Sequence, residues 1–444
     1  MSGNAQQSTT SAAASASVTP LAGKRKLPSI IDGYCELLSG TTAPDRWKRW
    51  VAAWLVGAAV ERRVWVRTMG LPIYPNLFIF LIGRSGGGKS VSFNMARTLL
   101  RAIGPGRTTA SSMTAAYFAS QLQQNDRSFL NPVTKTAEPY HVANVCTTEM
   151  GTLFREADAG MLGMLTDLFD CGEFSEGRRK DEHTFHCDRT FCAMLVGGTM
   201  THLFGAFSEG HWSDGFMSRV VMVYDTPRKR GSLFSASADP KRMNQLYDAL
   251  VHDLKLVGGA QGQFEFTTEA RAALDEFFTF ESEGGLQLGG PPIPGHPNLR
   301  TYCERRHVQI EKLMIVRALD LGESILTLDH FNWAHDMLLD AEAFMDEIFK
   351  EGHTGSDMML INNCLHAIAG MYVASKRKPV KEEKIQEFLI KRVDAFKVKG
   401  IIGVMVDNNK IRPATKQERD AFNIPAGTKT YIPLVARWDG DDLD

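Results

Sequence analysis

The chain has 444 residues, 43% of them hydrophobic, enough for several packed cores and roughly two to four domains. Its 50 Lys+Arg against 51 Asp+Glu leave the net charge near zero, which excludes nucleic-acid binding by bulk positive charge and leaves that task to local basic clusters. The seven cysteines show no paired spacing, no apolar run approaches the roughly 20 residues that span a bilayer, and no basic-then-apolar leader opens the chain, so the expected place is the cytoplasm of a bacterium, phage-infected or not.

In chain order, residues 1–26 read as a disordered arm, because the Ser, Ala, Thr and Gln of residues 2–19 cannot bury enough surface to offset ordering entropy. A helical N-terminal region follows over 27–72, with helix expected to about residue 68. Trp47, Trp50 and Trp54 fall on one helical face there. Basic residues between aromatics also fit nucleic acid, but a tryptophan-rich core face with a solvated basic side accounts for the spacing. An α/β core is expected over 73–238, with strands at 76–82, 107–111, 142–147, 191–196 and 219–224 alternating with helices. A helical lid is expected over 239–352, with helices at 267–281, 299–320 and 329–349. A winged-helix domain is expected over 353–438, and an acidic tail over 439–444.

The strongest local signal is Gly83-Arg84-Ser85-Gly86-Gly87-Gly88-Lys89-Ser90, followed by Val91, which matches the P-loop pattern. Glycines let successive N–H groups converge on a phosphate, and the next helix adds its positive end. Lys89 supplies a cation for the β- and γ-phosphates, and Ser90 a hydroxyl for Mg²⁺. The expected ligands are therefore ATP and Mg²⁺. An apolar strand before the loop and an amphipathic helix after it supply the required context.

Hydrolysis also needs a group that orients water. The strand at 142–147 leads to Glu149, a candidate general base. The stretch resembles a Walker B strand, from whose usual Asp-Glu ending it departs because Thr148 holds the aspartate position. Thr199, at the end of the next apolar strand, is a candidate for contact with the γ-phosphate; otherwise it is a turn threonine. Arg219 opens a further strand, where a salt-bridged strand arginine is one reading. His183, His186, Cys187 and Cys192 lie close together, but their spacing matches no paired zinc pattern.

The order P-loop, Glu149, Thr199, Arg219 resembles that of AAA+ ATPases, and Met217-Ser218-Arg219-Val220 resembles a Leu-Ser-Arg-Phe segment of minichromosome-maintenance helicases. With Tyr74-Pro75-Asn76-Leu77, Gly197-Gly198-Thr199, Asp214 to Arg219, Phe264 to Ala270 and the helix at 305–319, residues 28–345 resemble bacteriophage and mobile-element ATPases of the primase-helicase, or virulence-type helicase, group. That resemblance implies an AAA+ core with a parallel sheet, an α-helical lid and ATP held between subunits of a ring, expected to be a hexamer, with Arg219 as an arginine finger that reaches the neighbouring subunit's γ-phosphate. It also implies a sensor 2 cation among Arg305, Arg306 and Lys312, of which Arg305 and Lys312 share a helix face; a solvated face is the alternative.

Arg178, Arg179 and Lys180 lie where ring helicases carry pore loops, so they are candidates for the phosphates of single-stranded DNA, against a plain solvated loop. Arg228-Lys229-Arg230 is weaker. Lys391, Arg392, Lys397 and Lys399 cluster around the expected third helix of the winged domain. The expected function is an oligomeric DNA helicase or translocase in replication of a phage or mobile element, working beside replication proteins and without a membrane. Its rivals are a helicase loader or remodeller acting on a protein, and a nucleotide-gated DNA-binding scaffold.

Overall fold

A computed structural model describes residues 23–104, 107–154, 159–178, 183–207, 209–212, 214–226, 239–282, 294–390, 393 and 395–434. Outside those residues lie most of the expected arm, the acidic tail, Arg179, Lys180, Arg228-Lys229-Arg230, Lys391 and Arg392. The chain forms two compact units, residues 1–350 and 351–444.

The first unit is built on a five-stranded sheet. Phe78–Ile82 is buried at every position and pairs in parallel with Thr190–Gly198 on one side and Val220–Tyr224 on the other. Apolar faces in both directions are what a strand covered on both sides requires. Ala137–Thr147 pairs in parallel with Thr190–Gly198, and Asp126–Leu130 closes that edge antiparallel. The antiparallel strand was not expected. The strand expected at 107–111 does not form. Arg107 instead donates to the Ala59 carbonyl and the Glu61 carboxylate, and Thr109 N–H donates to the Asn144 carbonyl.

Helix Asp45–Val60 carries the three tryptophans, each at most 1% exposed. From Trp50 to Val60 every residue of it is buried, so this part is covered all round rather than amphipathic. The expected solvated basic side is partly wrong: Lys48 is buried and pairs with Asp45 at 3.2 Å. The helix also stops early. Glu61 takes φ +58° with its carboxylate fully buried, where it accepts from Arg107 and from the Tyr140 hydroxyl at 2.6 Å. The chain then turns into strand Val64–Thr68, where more helix was expected.

Helices of the region expected as a lid are tied to the N-terminal region. Asp253, on helix Pro240–Val257, accepts the backbone N–H groups of Lys26 and Leu27. Asp320, on helix Arg306–Leu321, accepts from the Ser29 hydroxyl and the Ile31 N–H. Both carboxylates are fully buried, so each needs these donors. Gly262–Gln263 extends Val64–Trp65 in parallel.

The second unit has its own core, including Ile368, Ile385, Leu389 and Met405. Helices Glu382–Ile390 and Ala395–Asp407 accompany a small antiparallel sheet of Val380–Lys381, Thr430–Pro433 and Ile411–Pro413, in that order. Among the described residues no helix is long and apolar enough to cross a membrane.

Candidate functional site

Gly83 to Gly88 link strand Phe78–Ile82 to helix Lys89–Ile103. Gly86 and Gly88 take φ +75° and +91°, conformations that favour glycine. A Cβ on Gly88 would lie 2.8 Å from the Ala43 nitrogen, and one on Gly83 would lie 2.5 Å from the Trp47 ring. The loop is therefore pressed from behind by the segment leading into helix Asp45–Val60, and only glycine fits. No side chain caps the 15-residue helix that follows; the Val91 N–H donates to the Gly88 carbonyl at 3.2 Å, which leaves the Lys89 and Ser90 N–H groups for an anion.

A cavity of about 350 Å³ opens over the loop. Ser85, Gly86, Gly87, Gly88, Lys89, Ser90 and Val91 line one side, and Thr148, Glu149, Gly198 and Thr199 line the other. The Gly83 and Arg84 carbonyls accept from Lys89 Nζ at 2.6 and 2.9 Å. Lys89 is only 9% exposed and lies 5.2 Å from the Trp47 ring centre. Burial lowers its pKa to about 8, against the opposing charge of Glu149. Ser90 and Glu149 are exposed.

Sheet geometry places the opposing wall. The Gly83 N–H donates to the Gly198 carbonyl at 3.2 Å, so the end of Thr190–Gly198 touches the start of the loop. Ala137–Thr147 is one strand further out. Two inter-strand steps of about 4.8 Å put Glu149 roughly 10 Å across from the loop strand, wide enough for a terminal phosphate and a water. Thr199 caps helix Met200–Ala206, its hydroxyl oxygen accepting the His202 N–H at 3.3 Å. Its hydroxyl proton remains a donor.

The other expected residues do not line this cavity. Arg219 precedes Val220, which pairs with Phe78 at the end of the sheet opposite the loop. About five residues at 3.3 Å each separate the two ends. Arg219 is 8% exposed and donates to the Gly215 carbonyl at 2.8 Å and to Asp170 at 3.1 Å. Arg305 is half-buried nearby, and burial and the Arg219 charge both lower its pKa. Arg306 is 1% exposed and paired with Glu342 at 2.6 Å. Lys312 is 2% exposed and donates to the Asn76 side chain, beneath the Phe169 ring. The expectation that Arg306 or Lys312 reaches the nucleotide is corrected: both are internal cations, each committed to a buried partner.

Arg178 ends strand Phe174–Arg178, paired antiparallel with His183–Cys187. Lys397 and Lys399 are exposed on helix Ala395–Asp407. Among the described residues no three His, Cys, Asp or Glu side chains gather as a metal-binding set.

Sequence reasoning missed Thr42, His202 and Trp47. His202 lies three residues past Thr199 in the first turn of a helix, a local signal that was there to read. Thr42 and Trp47 reach the loop from about 40 residues upstream, and no local pattern marks them. Together these elements define an α/β protein with a cavity of about 350 Å³ over a glycine-rich loop at the carboxyl ends of parallel strands. No protein-family model and no curated protein matches the chain.

Proposed function

We propose that this chain is an ATP-hydrolysing subunit of an oligomeric, AAA+-like DNA helicase or translocase serving a phage or mobile element. The observation that carries the reading is the convergence of Lys89, Ser90, Glu149 and Thr199 on one cavity, with one strand between the loop strand and the strand leading to Glu149. Backbone amides and Lys89 hold the triphosphate. Glu149 orients the attacking water, and Thr199 donates to the γ-phosphate or the water. Ser90, in the first turn of the helix after the loop, would hold Mg²⁺, which when bound neutralises phosphate charge. Thr148 adds no carboxylate to that shell, so the remaining positions fall to phosphates and water.

Arg219 cannot serve its own cavity from the far end of the sheet. In a ring it serves the neighbour's, and Asp170 holds it until a neighbour docks. Arg305 beside it makes this a paired cationic edge. Residues 351–444 act as a winged-helix module, and Arg178 to Lys180 contact single-stranded DNA.

Strand displacement on forked DNA with ATP and Mg²⁺ tests the reading, beside Lys89→Ala, Glu149→Gln and Arg219→Ala. Each variant alone is expected to lose on the order of 10³ in turnover. Arg219→Ala keeps ATP binding. Mixing Arg219→Ala with Glu149→Gln chains restores part of the turnover, because some interfaces then hold an intact cavity and an intact arginine. A wild-type chain that is fully active as a monomer overturns the trans role, and one that hydrolyses ATP without separating strands moves the function to remodelling of a protein partner.

A further inference from the structure

His202 lines the loop cavity from the first turn of helix Met200–Ala206, three residues past Thr199. Its backbone N–H is taken by the Thr199 hydroxyl oxygen at 3.3 Å. Among the described residues its imidazole has no hydrogen-bond or ion-pair partner. Residues three apart lie on the same side of a helix turn, and helical side chains lean back toward the helix start. The imidazole therefore stands on the Thr199 side of the cavity, at the end of strand Thr190–Gly198. That strand lies between the strand that feeds the loop and the strand that leads to Glu149.

The cavity lining holds three titratable side chains, Lys89, Glu149 and His202. Lys89 is the cation of the loop, and an ionised Glu149 only accepts hydrogen bonds. A phosphoryl group in transfer spreads its charge over three equatorial oxygens. Lys89 answers one of them and the Thr199 hydroxyl a second. An N–H donor on the Thr199 side answers the third and offsets the repulsion between the phosphoryl group and Glu149. A neutral imidazole already carries one such N–H, so the role requires no change of protonation.

We propose that His202 is a further catalytic residue of the hydrolysis proposed above, a reading on which this inference rests. Its imidazole N–H donates to an oxygen of the γ-phosphoryl group and transfers no proton. ADP lacks that group, so the same contact makes the chain hold ATP more tightly than ADP.

The test compares His202→Ala and His202→Gln in the full chain, with Mg²⁺ present, by equilibrium binding of ADP and of β,γ-imido-ATP, which resists hydrolysis. His202 is exposed, so neither change opens the core. His202→Ala is expected to weaken β,γ-imido-ATP about tenfold and to leave ADP binding unchanged, because only the former loses a hydrogen bond to a charged group. ATP turnover falls on the order of 10², the usual effect of removing one donor from developing charge. His202→Gln, whose amide still donates, recovers part of both losses. Equal weakening of the two nucleotides, or of neither, overturns the inference; the P-loop reading then survives as long as Lys89→Ala abolishes binding of both. A wild-type chain that binds neither nucleotide overturns the P-loop reading, and this inference with it.

Discussion

Lys89 sits between two electrostatic demands. Burial beside Trp47 disfavours its charge and brings its pKa to about 8, while the role proposed for it at a triphosphate requires the charge. A bound polyanion favours the protonated form, so binding takes up a proton once the free lysine begins to lose its own. ATP affinity is therefore expected to be flat below pH 7.5 and to fall up to about tenfold per pH unit above 8. Titrations at pH 7, 8 and 9 check this, and Lys89→Arg, whose cation does not titrate in that range, flattens the profile. Arg306 and Lys312 show the limit of reading single residues. Their spacing looks the same whether they face a nucleotide or a buried partner. What decides is the position of Glu342 and Asn76, which no short window contains.

At the scale of elements, helix Asp45–Val60 and the parallel strands were legible because their patterns are local. An all-apolar strand before Gly83 and another before Gly198 specify the sheet that brings loop and Thr199 together. Two features were not legible. The turn at Glu61 depends on Arg107 and Tyr140, which fix a buried carboxylate and with it a left-handed backbone. The docking of residues 26–31 on later helices depends on Asp253 and Asp320, whose partners lie more than 200 residues away; that of Asp253 with Lys26 spans 227. Asp253→Ala strips two backbone N–H groups of their acceptor and is expected to cost on the order of 3 kcal/mol. Chemical denaturation checks this. ATP affinity measured well below the unfolding midpoint stays unchanged, because Asp253 does not line the cavity.

For the whole molecule, two separate cores mean that stability is not one number. The P-loop cavity belongs wholly to residues 1–350, and the core containing Ile385 and Met405 wholly to the rest. Calorimetry is expected to resolve two transitions, of which only the one for residues 1–350 rises on adding ATP, since ligand stabilises the unit that binds it. A single transition that shifts as one would show the units to be thermodynamically coupled. The closeness of Gly83 to Trp47 reaches beyond sterics. An indole lies against the glycine-rich loop, about 5 Å from Lys89, whose partners change if the proposed nucleotide binds. The molecule thus carries its own optical gauge: emission excited at tryptophan wavelengths should shift as the cavity fills, without any added dye. Trp47→Phe silences that signal while the other indoles continue to shine.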